Sequence, residues 1–233
     1  MTEKVSHIPT RIKNAKVGGH VCGATDIDAG GGKNQSEVNG DLQDQINEIV
    51  GSSATVNLAA SPSLILVGNE PVEISLSATA SKSALSIVIG KGTQIIASGS
   101  GTSLSGTDTI TPTEAGDIQY GSQFIIAGVT KTKSCIVTAV YPIRTGSGAA
   151  YVDGTPLTTP KTSPAGTYNI TVANDGDYVY FNVPATMTIH GATMSGFTFP
   201  LEEPQSVTIG GVAYKSYRSS NTYDAGTLTI VIS

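Results

Sequence analysis

"VEISLS" (72–77) decides the fold class. Val72, Ile74 and Leu76 alternate with Glu73, Ser75 and Ser77, a period of two that marks a half-buried β-strand. Similar runs follow: "SLILVG" (63–68), "ALSIVIG" (84–90), "TQIIASG" (93–99), "SQFIIAGVT" (122–130) and "KSCIVTAVYPI" (133–143). Turn signals separate them at Gly68-Asn69-Glu70-Pro71, Gly90-Lys91-Gly92 and Ser105-Gly106. About seven short strands in ~90 residues predict a β-sandwich of immunoglobulin-like architecture over residues 53–143. Tryptophan is absent from the chain, so the likeness is one of architecture only.

Composition shifts near residue 141. Eight of nine tyrosines and three of four phenylalanines lie from Tyr141 onward. A Gly/Ser/Thr/Pro-rich passage (144–166) reads as a separator. Beyond it, "TYNITVA" (167–173), "DYVYFNVP" (177–184), "MTIHGA" (187–192), "SVTIGGVAYKSYRS" (206–219) and "TLTIVIS" (227–233) read as strands of a C-terminal β domain, 144–233. In the last run Leu228, Ile230 and Ile232 share a face, and the strand must be tied into a sheet to avoid a sticky edge.

Ahead of the β regions the period is helical. "SEVNGDLQDQINEIV" puts Val38, Leu42, Ile46 and Ile49 on one stripe, with Ser36 as cap and Gly51 as stop. The expected short helix, a neck over 36–52, is too short to stand alone in water. Its stripe needs cover, either from the following domain or from copies of the same helix. Residues 1–35 read as an extended arm, with four basic groups against one acid in the first 16. The chain as a whole is thus expected to be mainly β: an N-terminal extended arm and short helix followed by two β-sandwich-like domains.

Charged residues make up 13% of the chain, about half the usual ~25%, and the net charge is −5. A broad basic face for nucleic acid is not expected. Neither a secretion signal nor an apolar run of membrane length is visible, so no membrane association is expected. Cys22 and Cys135 lie 113 positions apart and read as unconnected thiols.

Sequence motifs for chemistry are few. "GATDIDAGGGKNQSEV" (23–38) matches a phosphate-binding loop only at Gly32-Lys33, with Ile27 and Asn34 where glycine and a hydroxyl residue belong. As a calcium loop it offers Asp26, Asp28 and Glu37 at fitting offsets, but Gly30 brings no oxygen and no helix enters it. No metal or other cofactor is expected. His7, His20 and His190 have no ligand spacing. Asp175, Asp177, Glu202, Glu203 and Asp224 could hold a hydrolase pair, although the first two flank a turn glycine and the next two sit between prolines. The tyrosines are the remaining candidates. Tyr178, Tyr180, Tyr214, Tyr217 and Tyr223 could form a subunit interface or a shallow glycan-contacting surface.

The run "HIPTRIKNAKVGGHVCGATDIDAGGGKNQSEVNGDL" (7–42) resembles the attachment segments of fibre proteins in phages and prophages of Bacteroidales, including crAss-like phages. In those, a stretch of the type IPxRI…AVGGHVxGA precedes GKxQSxVN, a short helix and variable β domains. The ending "YKSYRSSNTYDAGTLTIVI" (214–232) is similar to the close of such proteins. The resemblance implies a non-enzymatic virion structural protein, assembled in the host bacterial cytoplasm. It implies a homotrimeric head fibre, with a tail fibre or receptor-binding protein as the alternative. Ile8, Pro9, Arg11, Ile12, Val17, His20 and Val21 would then dock on the major capsid protein or another virion protein. Val38, Leu42, Ile46 and Ile49 would pack the neck, and the β domains would project toward bacterial surface glycans. A bacterial carbohydrate-binding surface protein is a second alternative, and a glycan hydrolase a third.

Overall fold

The computed structural model describes residues 16–17, 20–21, 35–68 and 70–233. Two short strands, β1 (Lys16–Val17) and β2 (His20–Val21), pair antiparallel with Lys16 opposite Val21 and Val17 opposite His20. The helix α1 spans Gln35–Ser53. It starts one residue before the expected Ser36 cap, so Ser36 lies inside the first turn. It also continues past Gly51, which is therefore no terminator. Gly51 is buried because the helix lands there: a Cβ would stand 2.5 Å from the Ile126 carbonyl oxygen and from Val129 Cγ2. Glycine is needed for that close approach. Lys131 Nζ donates to the Ser52 carbonyl at 2.8 Å, supplying the cation that the last helical turn lacks.

The first sandwich contains β3 (Val56–Ser61), β4 (Leu64–Leu66), β5 (Val72–Lys91), β6 (Gln94–Ile110), β7 (Gly116–Ile126) and β8 (Val129–Val140). "VEISLS" and "ALSIVIG" are not separate strands. They are the two halves of β5, which is 20 residues long and shifts register between Thr79 and Ala84 and again before Ile87. Such bulges bend a strand and raise its twist. The first half pairs with β3 and the second with β7, while β6 follows β5 along both. The β5–β6 ribbon therefore passes from one layer into the other. Ser105-Gly106, expected to turn, lies inside β6 opposite Ser77 and Leu76. The remaining order is β7–β8–β4, with β4 parallel to β8.

Alternation fills the interior. Ile74, Leu76 and Ala78 enter from the first half of β5, Ile87 and Ile89 from the second. They meet Leu58, Tyr120, Phe124, Val137 and Ala139. Each large side chain removed from water contributes about 1.5–3 kcal/mol. Two polar residues are buried with them, Ser122 and Asp108, and Asp108 accepts hydrogen bonds from Lys91 Nζ and, at 3.0 Å, from Tyr120 Oη. That cluster ties the far end of β5 to the C-terminal part of β6 and to β7.

The second sandwich has two sheets. One runs β10–β9–β12–β16–β15, built from β9 (Arg144–Gly148), β10 (Thr155–Pro156), β12 (Tyr178–Pro184), β15 (Gln205–Ile209) and β16 (Val212–Arg218). The other runs β11–β17–β13–β14, built from β11 (Gly166–Val172), β13 (Ala192–Met194), β14 (Phe197–Thr198) and β17 (Gly226–Ile232). The passage 144–166 is thus no mere separator, since it supplies β9 and β10. "SVTIGGVAYKSYRS" is a hairpin, not one strand, turned by Gly210 and Gly211 at φ +59° and +84°. Most of "MTIHGA" lies outside the strands; Ala192 alone opens β13. The C-terminal β17 sits between β11 and β13, with Ile230 and Ile232 buried. Tyr168, Ile170, Val172, Val179, Phe181, Val183, Phe199 and Tyr217 complete the core.

Candidate functional site

The strand β12 has two faces. Val179, Phe181 and Val183 enter the core, and Tyr178, Tyr180 and Asn182 point the other way. The register with β16 places Arg218 opposite Tyr180, Ser216 opposite Asn182 and Tyr214 opposite Pro184. On the other flank, β9 sets Gly148 opposite Tyr178, Gly146 opposite Tyr180 and Arg144 opposite Asn182.

Two loops fold over this outer face. The first is residues 149–154. Arg144 donates to the Asp153 and Gly154 carbonyls, both at 2.9 Å, and Asn182 Nδ2 donates to the Val152 and Asp153 carbonyls at 2.9 and 3.0 Å. The loop lies close because β9 presents glycines. A Cβ at Gly148 would meet Val152 Cγ1 at 2.7 Å, and one at Gly146 would meet the Gly154 Cα at 3.1 Å. The second loop, 199–204, is held by Glu202. Its amide donates to the Arg218 carbonyl at 2.8 Å, and its carboxylate accepts from Arg218 Nε and Nη2 at 2.9 and 2.7 Å. This two-pronged pairing matches the planar fork of the guanidinium. The Arg218 guanidinium also lies 4.4 Å from the centre of the Tyr178 ring, a cation–π arrangement.

Between the loops is a cavity of about 310 Å³ lined by Ala149, Ala150, Tyr151, Tyr180, Glu202, Glu203, Gln205, Ser216 and Arg218. The Tyr151 and Tyr180 rings meet edge to face, 6.0 Å apart at 86°. Arg218 holds the Glu202 carboxyl below the usual carboxylate range through its hydrogen bonds, so Glu202 stays ionised. Burial pushes the Tyr151 phenol up to about 12, and the hydrogen bond and charge of Asp153 add to the rise. Asn182 is fully buried, and its Oδ1 has no hydrogen-bond partner among the described residues.

The five tyrosines singled out in the sequence have separate fates. Tyr178 and Tyr180 belong to this cluster. Tyr217 is in the core, its hydroxyl accepting from the Ile189 amide at 3.2 Å. Tyr214 is buried and donates to the Pro142 carbonyl at 3.1 Å. Tyr223 packs against Phe199, the rings 5.2 Å apart and nearly parallel. Their rings are held inside the chain, so Tyr214 and Tyr217 are not on a contact surface. The participants missing from the sequence reading are Tyr151, Gln205, Ser216 and Arg218. The alternate glycines of "RTGSG" (144–148) were the available signal, because small residues on one face of a strand leave room for a covering layer.

The other carboxylates are taken up locally. Asp177 is buried and accepts from the Asn174 amide at 3.2 Å, and Asp175 accepts from the Ala225 amide at 2.8 Å. Asp26 and Asp28 lie outside the described residues, and Glu37 stands in the first turn of α1. Among the described residues no group of three or more His, Cys, Asp and Glu side chains could hold a metal ion, and no helix is long and apolar enough to cross a membrane.

Of the docking residues, Ile8, Pro9, Arg11 and Ile12 lie outside the described residues, and Val17, His20 and Val21 belong to the β1–β2 pair. The helix stripe is uncovered: Leu42 is 52% exposed, Ile46 52% and Ile49 66%, with Val38 half-buried. The first sandwich meets α1 at its last turn and does not cover the stripe.

A two-sandwich chain with a loop-covered polar cluster on one sheet and a bare apolar helix stripe is the class these features define. The chain matches no family model and no curated protein.

Proposed function

We propose that the chain is a structural fibre protein of a phage virion, a homotrimeric head fibre whose N-terminal arm docks on the capsid. Its β domains project outward and contact bacterial surface glycans. The uncovered stripe of α1, which begins within the segment that resembles fibre attachment sequences and runs beyond it, carries this reading. Leu42 and Ile49 fall at heptad position a, Val38 and Gln45 at d, and Ile46 at e. Asp41 and Glu48 then fall at g, while e holds Asn39, Ile46 and Ser53. Parallel copies bring g against the neutral e positions, whereas antiparallel copies bring g against g and set acid against acid. A parallel bundle points every β domain the same way, as a fibre requires. Gly40 falls at f, away from the seam, so it weakens the helix without interrupting the contact.

Light scattering of the purified protein tests the assembly, with a trimer expected. A monomer at micromolar concentration would defeat it. Deletion of residues 1–35 should leave folded β domains that are missing from virions; truncated protein retained on particles would remove the docking role of the arm. Labelling of the chain on imaged virions separates head from tail attachment.

A further inference from the structure

We propose that the cavity between Tyr151 and Arg218 binds a single neutral pyranose residue. This gives the host-contact part of the fibre reading a defined site, and it rests on that reading only for where the sugar is presented. The cavity volume of about 310 Å³ is at the small end of ligand pockets, which run about 300–1,000 Å³, and suits one sugar ring better than a peptide or nucleotide.

The lining has the two surfaces that a polyol ring needs. The exposed Tyr151 ring offers apolar area to the C–H face of the sugar, and the buried Tyr180 ring supports it edge to face. Gln205, Ser216 and Glu203 offer amide, hydroxyl and carboxylate groups to its hydroxyls. Arg218 is held before any ligand arrives: it stands opposite Tyr180 on the neighbouring strand and is fixed by both oxygens of Glu202. Preorganisation of this kind lowers the ordering cost of binding. Beneath the lining, Asn182 lies on the same face of β12 as Tyr180 and directly opposite Ser216. Its buried Oδ1 has no partner among the described residues, which leaves one polar group of this face unsatisfied.

Charge sets the class of sugar. Arg218 is matched by Glu202, so the exposed Glu203 carboxylate is left as the excess charge at the opening. A uronate or sialate would bring a second anion to it. A neutral hexose or N-acetylhexosamine would not.

The test is a titration of the isotope-labelled full chain, followed by amide NMR, with glucose, galactose, mannose, N-acetylglucosamine and glucuronate. At least one neutral sugar should give saturable shifts at residues 149–153, 203–205 and 216–218, with millimolar affinity. Glucuronate should bind roughly tenfold more weakly, and Glu203→Gln should close that gap. Tyr151→Ala should weaken the neutral sugar about tenfold; the ring is 41% exposed, so folding should survive its loss. Gln205→Ala provides a second probe at an exposed residue. The proposal is overturned by shifts that fail to saturate with every sugar, by shifts confined to other residues, or by unchanged affinity in both variants. A chain that binds sugar but is monomeric and absent from virions would defeat the fibre reading alone. A trimeric virion protein indifferent to all five sugars would defeat this proposal alone.

Discussion

On the first sandwich, Gln119, Gln123, Thr132 and Ser134 stand exposed on the outer face of β7 and β8. On the second, the corresponding face of β12 and β16 lies beneath two loops, so that Tyr180 and Asn182 are buried although they point away from the core. The interiors differ as well. The first buries the Asp108 carboxylate between Lys91 and Tyr120, and draws on long bent strands. The second has a more aromatic interior, buries the Asp177 carboxylate against the Asn174 amide, and keeps its ion pair, Arg218–Glu202, at the rim of the covered face. A sheet acquires a covering layer only where its strand has lost side chains and gained donors that catch loop carbonyls. Gly146, Gly148, Arg144 and Asn182 do both in the second sandwich. The first is built as a strut, and the second as a strut with a recess.

The comparison breaks most readily at Phe181, which is fully buried and meets Tyr168 edge to face at 5.6 Å. Phe181→Ala should cost about 3–5 kcal/mol through lost burial and the cavity left behind. The two cores have no buried residue in common, so the loss should fall on the second sandwich. Hydrogen exchange measured element by element checks this. Equal loss of protection in β5 and β7 would make the two sandwiches one cooperative unit.

The matching perturbation of the first sandwich is Asp108→Ala. It leaves the buried Tyr120 hydroxyl without its acceptor, and should cost about 1–3 kcal/mol. Adding Lys91→Met should recover part of the loss, because removing both partners leaves less unpaired than removing one. Thermal unfolding of the single and double variants gives the comparison. A double variant no better than the single would mean that the ion pair contributes nothing beyond the tyrosine contact.

Alkali should act on both sandwiches by the same route, but over different ranges. Burial pushes the Tyr168 phenol from its ordinary 10 up to about 12. Tyr120 is raised further, by burial first and then by the hydrogen bond and charge of Asp108. A phenol with a raised folded pKa contributes stability that is complete below pH 10 and is lost as the pH climbs through the folded value. The second sandwich should therefore weaken between about pH 10 and 12, and the first should continue to lose stability above that range. Tyrosinate absorbance during alkaline unfolding reads this directly. Asp108→Ala should bring the Tyr120 titration down and leave that of Tyr168 in place.

Alternation made most of the strands legible: Ile74, Leu76, Val179 and Phe181 could each be assigned a face from neighbouring residues alone. What stayed hidden depended on contacts distant in sequence. Ser105-Gly106 reads locally as a turn, and runs straight because it lies against Leu76 and Ser77. Gly146 and Gly148 read as linker, and matter only because Val152 and Gly154 pack on them. Tyr180 was visible as a candidate from its strand, but Arg218 reaches it through a register that no local pattern encodes. The same reasoning applies to the tyrosine pair of β16. Alternation places Tyr214 and Tyr217 on opposite faces, and only the covering structure decides that both are buried.

The smallest effects concern the helix and the strut it stands on, where two glycines should respond with opposite signs. At Gly40 an added Cβ meets nothing within 4 Å, so Gly40→Ala should yield the intrinsic helical gain of about 1 kcal/mol. The same intrinsic gain is available at Gly51, which is also helical. There the Cβ would press into the Ile126 carbonyl oxygen and Val129 Cγ2, and the first of these is backbone that cannot rotate away. Overpacking of this kind costs about 1–3 kcal/mol, which exceeds the gain, so Gly51→Ala should loosen the helix from the β7–β8 hairpin. Hydrogen exchange over residues 45–53 should slow in the first variant and quicken in the second. If both slow, propensity outweighs the contact, and the helix is held by its own backbone rather than by the sandwich beneath it.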